Sequence, residues 1–299
     1  MAPIDATGGR RGRAIGLMCI AWALFSCIDG TAKYLTTVLH VPTLQVVWVR
    51  FLGQFVAMLL AFGLLAVPRL LRSTKPGHQL IRSALLLSST VFNFFALQTL
   101  RLDQTMTIQF LTPLTVALLA GPLLGEWIGW RRFVAILVGF GGILVAVRPG
   151  LGGFQPAIGL AFVSMLSYAA FSLLTRYLSP HDPAEVTLFY SLFAGALLLA
   201  PVGIGGWVWP ADWLTWALIA TIGLWAGAGH YIFIIAHRYA PASVLAPFVY
   251  MALLTHSAIG FFVFGQLPDA WTLAGAAIVV VSGLYLIHRE RVRAREAKA

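Results

Sequence analysis

Charge is scarce in this chain. Of 299 residues only 10% are Asp, Glu, Lys or Arg, and the acids number 10. A soluble domain carries about a quarter charged residues, so a soluble domain large enough to act alone is excluded. Cysteine is scarcer: Cys19 and Cys27 only. Both fall in one apolar run, ~12 Å apart along a helix axis, which is beyond disulfide reach. They read as small apolar packers. Three chemical signatures are missing as well. Without a Walker-type phosphate loop, ATP is not the direct energy source. Without a His-Glu-x-x-His or Gly-x-Ser-x-Gly pattern, nothing points to a metal-dependent or serine hydrolase. No second metal ligand stands one helical turn from either deep histidine, so no metal or other cofactor is expected.

What fills the chain instead is apolar: 60% hydrophobic residues and a mean hydropathy of +0.87. Uncharged runs bounded by charges or by Pro and Gly give ten candidate spans: Ala14–Val38, Thr43–Val67, Gln79–Leu100, Gln104–Leu124, Trp130–Val147, Pro156–Leu178, Ala184–Gly205, Trp213–His237, Pro241–Phe264 and Ala270–His288. A helix needs ~20 apolar residues to cross a bilayer. The fifth is the shortest, and Arg131 and Arg132 would have to snorkel to lengthen it. The runs are solid rather than alternating, which predicts helices and not a barrel.

Lys and Arg set the expected orientation. With the N-terminus inside, 16 of the 20 basic residues fall on the inner side and only Arg101 and Arg148 outside, leaving Lys33 and Arg50 within spans. This bias accounts for the net charge of +10 without nucleic acid. Met1–Arg13 reads as a retained cytoplasmic tail, because no cleavage site follows the first apolar run. Trp207, Trp209, Trp213, Trp216 and Trp271 gather at the expected outer interface, where indoles prefer to sit.

The order of features repeats. Residues 95–146 can be laid on 235–286 with a shift near 140: Ala96 meets Ala236, Phe110 meets Tyr250, and Gly125-Glu126 meets Gly265-Gln266. Lys33-Tyr34-Leu35 meets Arg176-Tyr177-Leu178, and Pro42 meets Pro183. Five helices per half is odd, so the second half would enter the membrane from the opposite side, as in many secondary transporters. Coincidence among apolar helices is the competing account.

Arg50 in the second span, a Pro-containing fourth span running into Gly125-Glu126, and the close Phe264-Gly265-Gln266-Leu267-Pro268-Asp269 before Trp271-Thr272-Leu273-Ala274-Gly275 resemble the EamA group of the drug/metabolite transporter superfamily. Within it the chain looks most like bacterial exporters of aromatic and other amino acids (YddG-like). It departs from the common pattern at Gln266 and Leu253, where an acid and a proline often stand. The resemblance implies an all-α membrane protein of ten helices, in two inverted five-helix repeats around a central cavity. The implied parts are a basic tail (1–13), a first EamA-type repeat (14–150), a second (151–288) and a second cytoplasmic tail (289–299). It also implies export of small metabolites across the inner membrane by alternating access, without catalysis, in a chain able to work as a monomer. The same family admits organic cations, drugs or a nucleoside-like metabolite as cargo. A passive channel or a membrane-embedded enzyme is the reading from outside it.

Polar residues inside spans need partners or a cavity. Trp22, Ser26, Asp29 and Lys33 share one face of the first helix. Asp29 is the one acid deep in a span, and it either lines the path or pairs with Lys33 or Arg50. Arg50 is read as a partner for Asp29, a cap for carbonyls or a site for a carboxylate. Stripes of Ser89 and Asn93, of Thr105, Gln109 and Thr112, of Ser164, Tyr168 and Thr175, and of Ser243, Tyr250 and Ser257 suggest a shared wet cavity, with interhelical hydrogen bonding as the alternative. Trp22, Tyr168, Trp225 and Tyr250 would wall it. The candidate substrate-binding set is Trp22, Ser26, Asp29, Asn93, Gln109, Tyr168, Trp225 and Tyr250. The candidate coupling or gating set is Asp29, Lys33, Arg50, His230 and His256, the histidines because they titrate near neutrality.

Overall fold

The structure is a computed structural model that describes residues 5–124, 130–148, 155–239 and 245–296. The regular elements among them are all helical. They are α1 (Asp5–Thr37), α2 (Thr43–Phe62), α3 (Pro76–Leu97), α4a (Leu102–Gln109), α4b (Thr112–Leu124), α5 (Trp130–Val147), α6 (Pro156–Leu178), α7 (Ala184–Leu198), α8 (Trp213–Tyr239), α9 (Met251–Phe264) and α10 (Ala270–Glu296), with short helical turns at Leu64–Ala66, Val67–Leu70, Ala200–Gly205 and Ala246–Tyr250. Six helices are long and apolar enough to cross a membrane, and 133–146, 248–264 and 270–285 are shorter apolar helices.

Local chemistry sets the ends. Pro42 and Pro183 precede α2 and α7 with extended backbone, the conformation that lets a new helix begin. Pro76 and Pro156 open α3 and α6 from the first turn, where a missing N–H costs nothing. Gly63, at φ 78°, stops α2 at Phe62, five residues short of the expected Val67. Gly265 adopts the left-handed conformation after α9, and the amides of Gly265 and Gln266 take the carbonyls of Phe261 and Gly260. The Asp269 carboxylate accepts the Thr272 amide at 2.7 Å and caps the start of α10.

Several expected spans come out differently. The fourth is broken between Gln109 and Thr112. Pro113 has no N–H to give and its ring crowds the carbonyl four residues back, that of Gln109. The seventh breaks at Leu199, ahead of Pro201. At the termini the helices run beyond the expected spans, since α1 starts at Asp5 and α10 runs on to Glu296. Gly125-Glu126 and Ser243, used above, lie outside the described residues.

The packing partners follow a pattern. α1 lies against α8 and α9, while α6 lies against α3 and the two parts of the fourth helix. α2 packs on α8 and α7, α3 on α7, and α5 on α10. One apolar cluster holds Phe51, Phe94, Phe189, Leu35 and Ile222; another holds Phe110, Leu111, Leu114, Met165 and Val279. Phe110 and Tyr250 meet edge to face, 5.0 Å between centroids. Where α5 crosses α10, a Cβ at Gly142 would stand 2.9 Å from the Gly275 carbonyl, so only glycine lets the backbones come this close. Outside, large apolar side chains such as Leu60, Leu65 and Phe262 are bare, as expected where the solvent is lipid. Cys19 and Cys27 are both free thiols.

Two ends of the bundle are tied by polar contacts. Between α2 and α3, Ser73 Oγ (2.5 Å), Thr74 N (2.8 Å), Thr74 Oγ1 (3.0 Å) and, from α3, Gln79 Nε2 (2.8 Å) all donate to the Asp182 carboxylate, which sits between α6 and α7. Burial raises the pKa of Asp182, but these donors outweigh it and hold the carboxyl at about 2. Tyr190 Oη donates to the Leu71 carbonyl at 2.9 Å beside it. At the other end Gln45 and Val208 exchange two bonds of 3.0 Å, and Arg148 pairs with Asp269.

Candidate functional site

A cavity of about 530 Å³ lies inside the bundle. Ligand pockets of this kind are mostly apolar with a few fixed polar groups. Its walls come from α1, α2, α3, both parts of the fourth helix, α6, α8, the Ala246–Tyr250 turn with the preceding Leu245, and α9. Trp22 and Phe25 of α1 are T-shaped at 5.4 Å, and Phe25 meets the His230 ring at 4.9 Å. Phe94, Phe110, Tyr168 and Phe233 add further aromatic surface.

The polar groups on this wall include Asp29, Arg50, Asn93, Gln109, His230 and His256. Asn93 Nδ2 donates to Asp29 Oδ1 at 3.1 Å, and His256 Nε2 lies 3.0 Å from Asp29 Oδ2. The other ring nitrogen, Nδ1, is 2.8 Å from both the Ala252 carbonyl and Ser26 Oγ. When Nδ1 donates to Ala252, one proton must lie between Nε2 and Asp29, because two lone pairs at that distance repel. When Ser26 donates to Nδ1 instead, Nε2–H donates to the carboxylate.

Asp29 thus pairs with neither Lys33 nor Arg50, the partners considered from sequence. Lys33 is buried away from the cavity, and its Nζ donates at 2.7 Å to the carbonyls of Leu97 and Leu100. These close α3, where the last carbonyls of a helix are orphaned and carry partial negative charge. The carbonyl-capping role weighed for Arg50 is Lys33's. Arg50 is 9% exposed. Its Nη1 donates to Thr90 Oγ1 at 3.1 Å, and its buried Nε has no partner.

Other candidates separate. Ser26 lies behind the cavity wall, fully buried, bonded to Thr255 and His256. Trp225 packs on the first apolar cluster and Tyr250 on Phe110, behind the lining rather than in it. Gln109 Nε2 donates to Ser164 Oγ at 2.9 Å, and Ser164 donates in turn to the Ser89 carbonyl. Thr105 bonds the backbone of its own helix, and Thr175 accepts from Arg82 at 2.6 Å. The stripes therefore divide between cavity and helix contacts. His230 Nδ1 meets the Ala226 carbonyl at 2.8 Å. Among the described residues no three His, Cys, Asp or Glu side chains gather as a metal site. Thr90, Phe25 and Phe233 were missed in the sequence, and only their helical register with Asn93, Asp29 and His230 would have pointed to them.

The model of the EamA-like transporter family matches the chain twice, over residues 13–148 and 155–288. An S-adenosylmethionine uptake transporter of Rickettsia prowazekii is 27% identical over 277 residues, covering 91% of this chain and 93% of that protein. A riboflavin transporter of Vibrio cholerae is 26% identical over 286 residues, 94% and 95%. A pseudopaline exporter of Pseudomonas aeruginosa is 25% identical over 194 residues, 64% and 68%. None of these three relatives is named as an exporter of aromatic amino acids, the subgroup that the sequence resembled. A crystal structure at 20% identity shares the fold, with a TM-score of 0.62 over 95% of this chain and 98% of the other.

Proposed function

We propose a function from the premise that the chain belongs to the EamA-like transporter family and is a multi-pass membrane transporter, not an enzyme: a secondary carrier for small metabolites, ring-bearing ones or amino acids, working by alternating access. The observation that carries this is the 530 Å³ cavity, walled by aromatic rings and holding Asp29 and Arg50, in the interior of a bundle of membrane-length helices. The double match of the family model and the exchanged packing partners support two inverted repeats about that cavity. An inner-membrane location with both termini cytoplasmic is part of this reading, its orientation supported by the Lys and Arg distribution.

Three cargoes compete. S-adenosylmethionine and riboflavin come from the relatives' names. Free neutral or aromatic amino acids, exported, come from the sequence. Relatives named for uptake and for export both occur, so gradients set the direction. Liposomes containing the purified chain and loaded with unlabelled solute test the reading. Entry of labelled S-adenosylmethionine, riboflavin, phenylalanine, methionine and threonine should be saturable and trans-stimulated for at least one. A channel would show neither property. Flat traces for all five, from inserted and folded protein, would refute the carrier for these cargoes.

A further inference from the structure

We infer that Arg50 is a carboxylate anchor, so that the cavity selects solutes with an amino-acid head group, carboxylate on Arg50 and ammonium on Asp29. This rests on the cavity being the substrate site of a carrier. A guanidinium offers five N–H donors in a planar fork. Arg50, nine-tenths buried on the cavity wall, spends one of them on a neutral hydroxyl, that of Thr90. Its Nε is buried and unpartnered. Among the described residues no carboxylate lies within ion-pair distance of it.

Arg82, on the neighbouring helix, shows what a structural arginine looks like here. It is also buried, yet it bonds Thr175, the Thr187 carbonyl and Ser191, and stacks on Phe171 at 4.4 Å. Burying a guanidinium for a single 3.1 Å bond is a poor exchange if its task were only to tie α2 to α3. Phe51 covers one face of the Arg50 guanidinium at 5.1 Å, and the buried Nε lacks a partner, so the planar fork keeps unspent donors that suit a carboxylate. Asp29 supplies the opposite charge. Each of its oxygens holds one bond, and 24% of the side chain remains exposed, so lone pairs remain for an ammonium. Two opposite charges on an aromatic-walled cavity fix the orientation of a zwitterion. Riboflavin, which carries neither charge at neutral pH, would leave both unmatched.

The test compares each acid with the same molecule lacking its carboxylate: S-adenosylmethionine with its decarboxylated form, and phenylalanine with phenethylamine. Equilibrium binding is measured on the full chain in lipid nanodiscs, beside the exchange assay. The wild type should bind at least one acid about tenfold or more tightly than its partner, as expected for a charge-assisted bidentate contact. Arg50→Gln should collapse that ratio to about one, mainly through lost affinity for the acid, and Arg50→Lys should restore part of it. A wild-type ratio near one for both pairs, or a ratio unchanged in folded Arg50→Gln, overturns the inference. So does binding of riboflavin alone, which would leave the carrier intact. Binding with the expected ratio but without exchange would uphold the anchor and refute the carrier.

Discussion

Asp29 acts through its neighbours. Its oxygens hold Asn93 from α3 and His256 from α9, while Arg50 of α2 and His230 of α8 stand on the same cavity wall. A cation arriving at Asp29 competes with Asn93 and His256 for the carboxylate, so Asp29→Asn should weaken binding of cationic or zwitterionic substrates about tenfold or more, and His256→Gln should change it less. Equilibrium binding to the folded variants decides the point, and unchanged affinity in Asp29→Asn would remove the acid from substrate recognition. Asp29 was legible as the acid deep in a span, on a face with Trp22. Its histidine was not, because 227 residues separate them and only the packing of α1 on α9 brings them together. Lys33, one turn away, bonds not the acid but the carbonyls of Leu97 and Leu100, since orphaned helix ends offer acceptors that a helical wheel does not display.

Helices were legible where proline and glycine punctuate the chain. α5 and α6 run as the uncharged stretches do, and Gly265 and Pro156 mark an end and a start. The break in the fourth helix follows from Pro113, a residue easily read as a mild kink. The tie between the connection 71–75 and Asp182 had no sequence signal, because an aspartate before proline in a loop is ordinary. It makes a pH prediction outside the membrane. The folded carboxyl is held at about 2, below its ordinary 3.8. Its contribution is therefore complete above pH ~4 and lost as pH falls toward 2, and is on the order of 1–2 kcal/mol. Thermal unfolding in detergent should show Asp182→Asn less stable at pH 6, with the gap closing as the pH drops below 4. A gap independent of pH would mean that the aspartate stabilises by shape and not by charge.

At the scale of the whole molecule, replacing each first-half helix by its second-half counterpart maps the packing of α1 on α8 and α9 onto that of α6 on α3 and the fourth helix. The short fifth run and the broken fourth helix hid this from hydropathy alone, while the order of small matches near a shift of 140 displayed it. If five helices cross in each half, reporters fused after residue 13 and after residue 288 should report cytoplasm, and one fused near residue 150 should report the outside. Agreement of all three on one side would dismantle the inverted arrangement. The Asp182 tie has a consequence for such a machine. A carboxylate that collects four donors from one short stretch gains little by releasing them singly, since each remaining bond keeps the others in reach. In a carrier that must open this end, such a closure would behave as a bolt rather than a spring, either shot or drawn. Half-open states would then be thinly populated, and a gradient built by slow exchange would not drain through them.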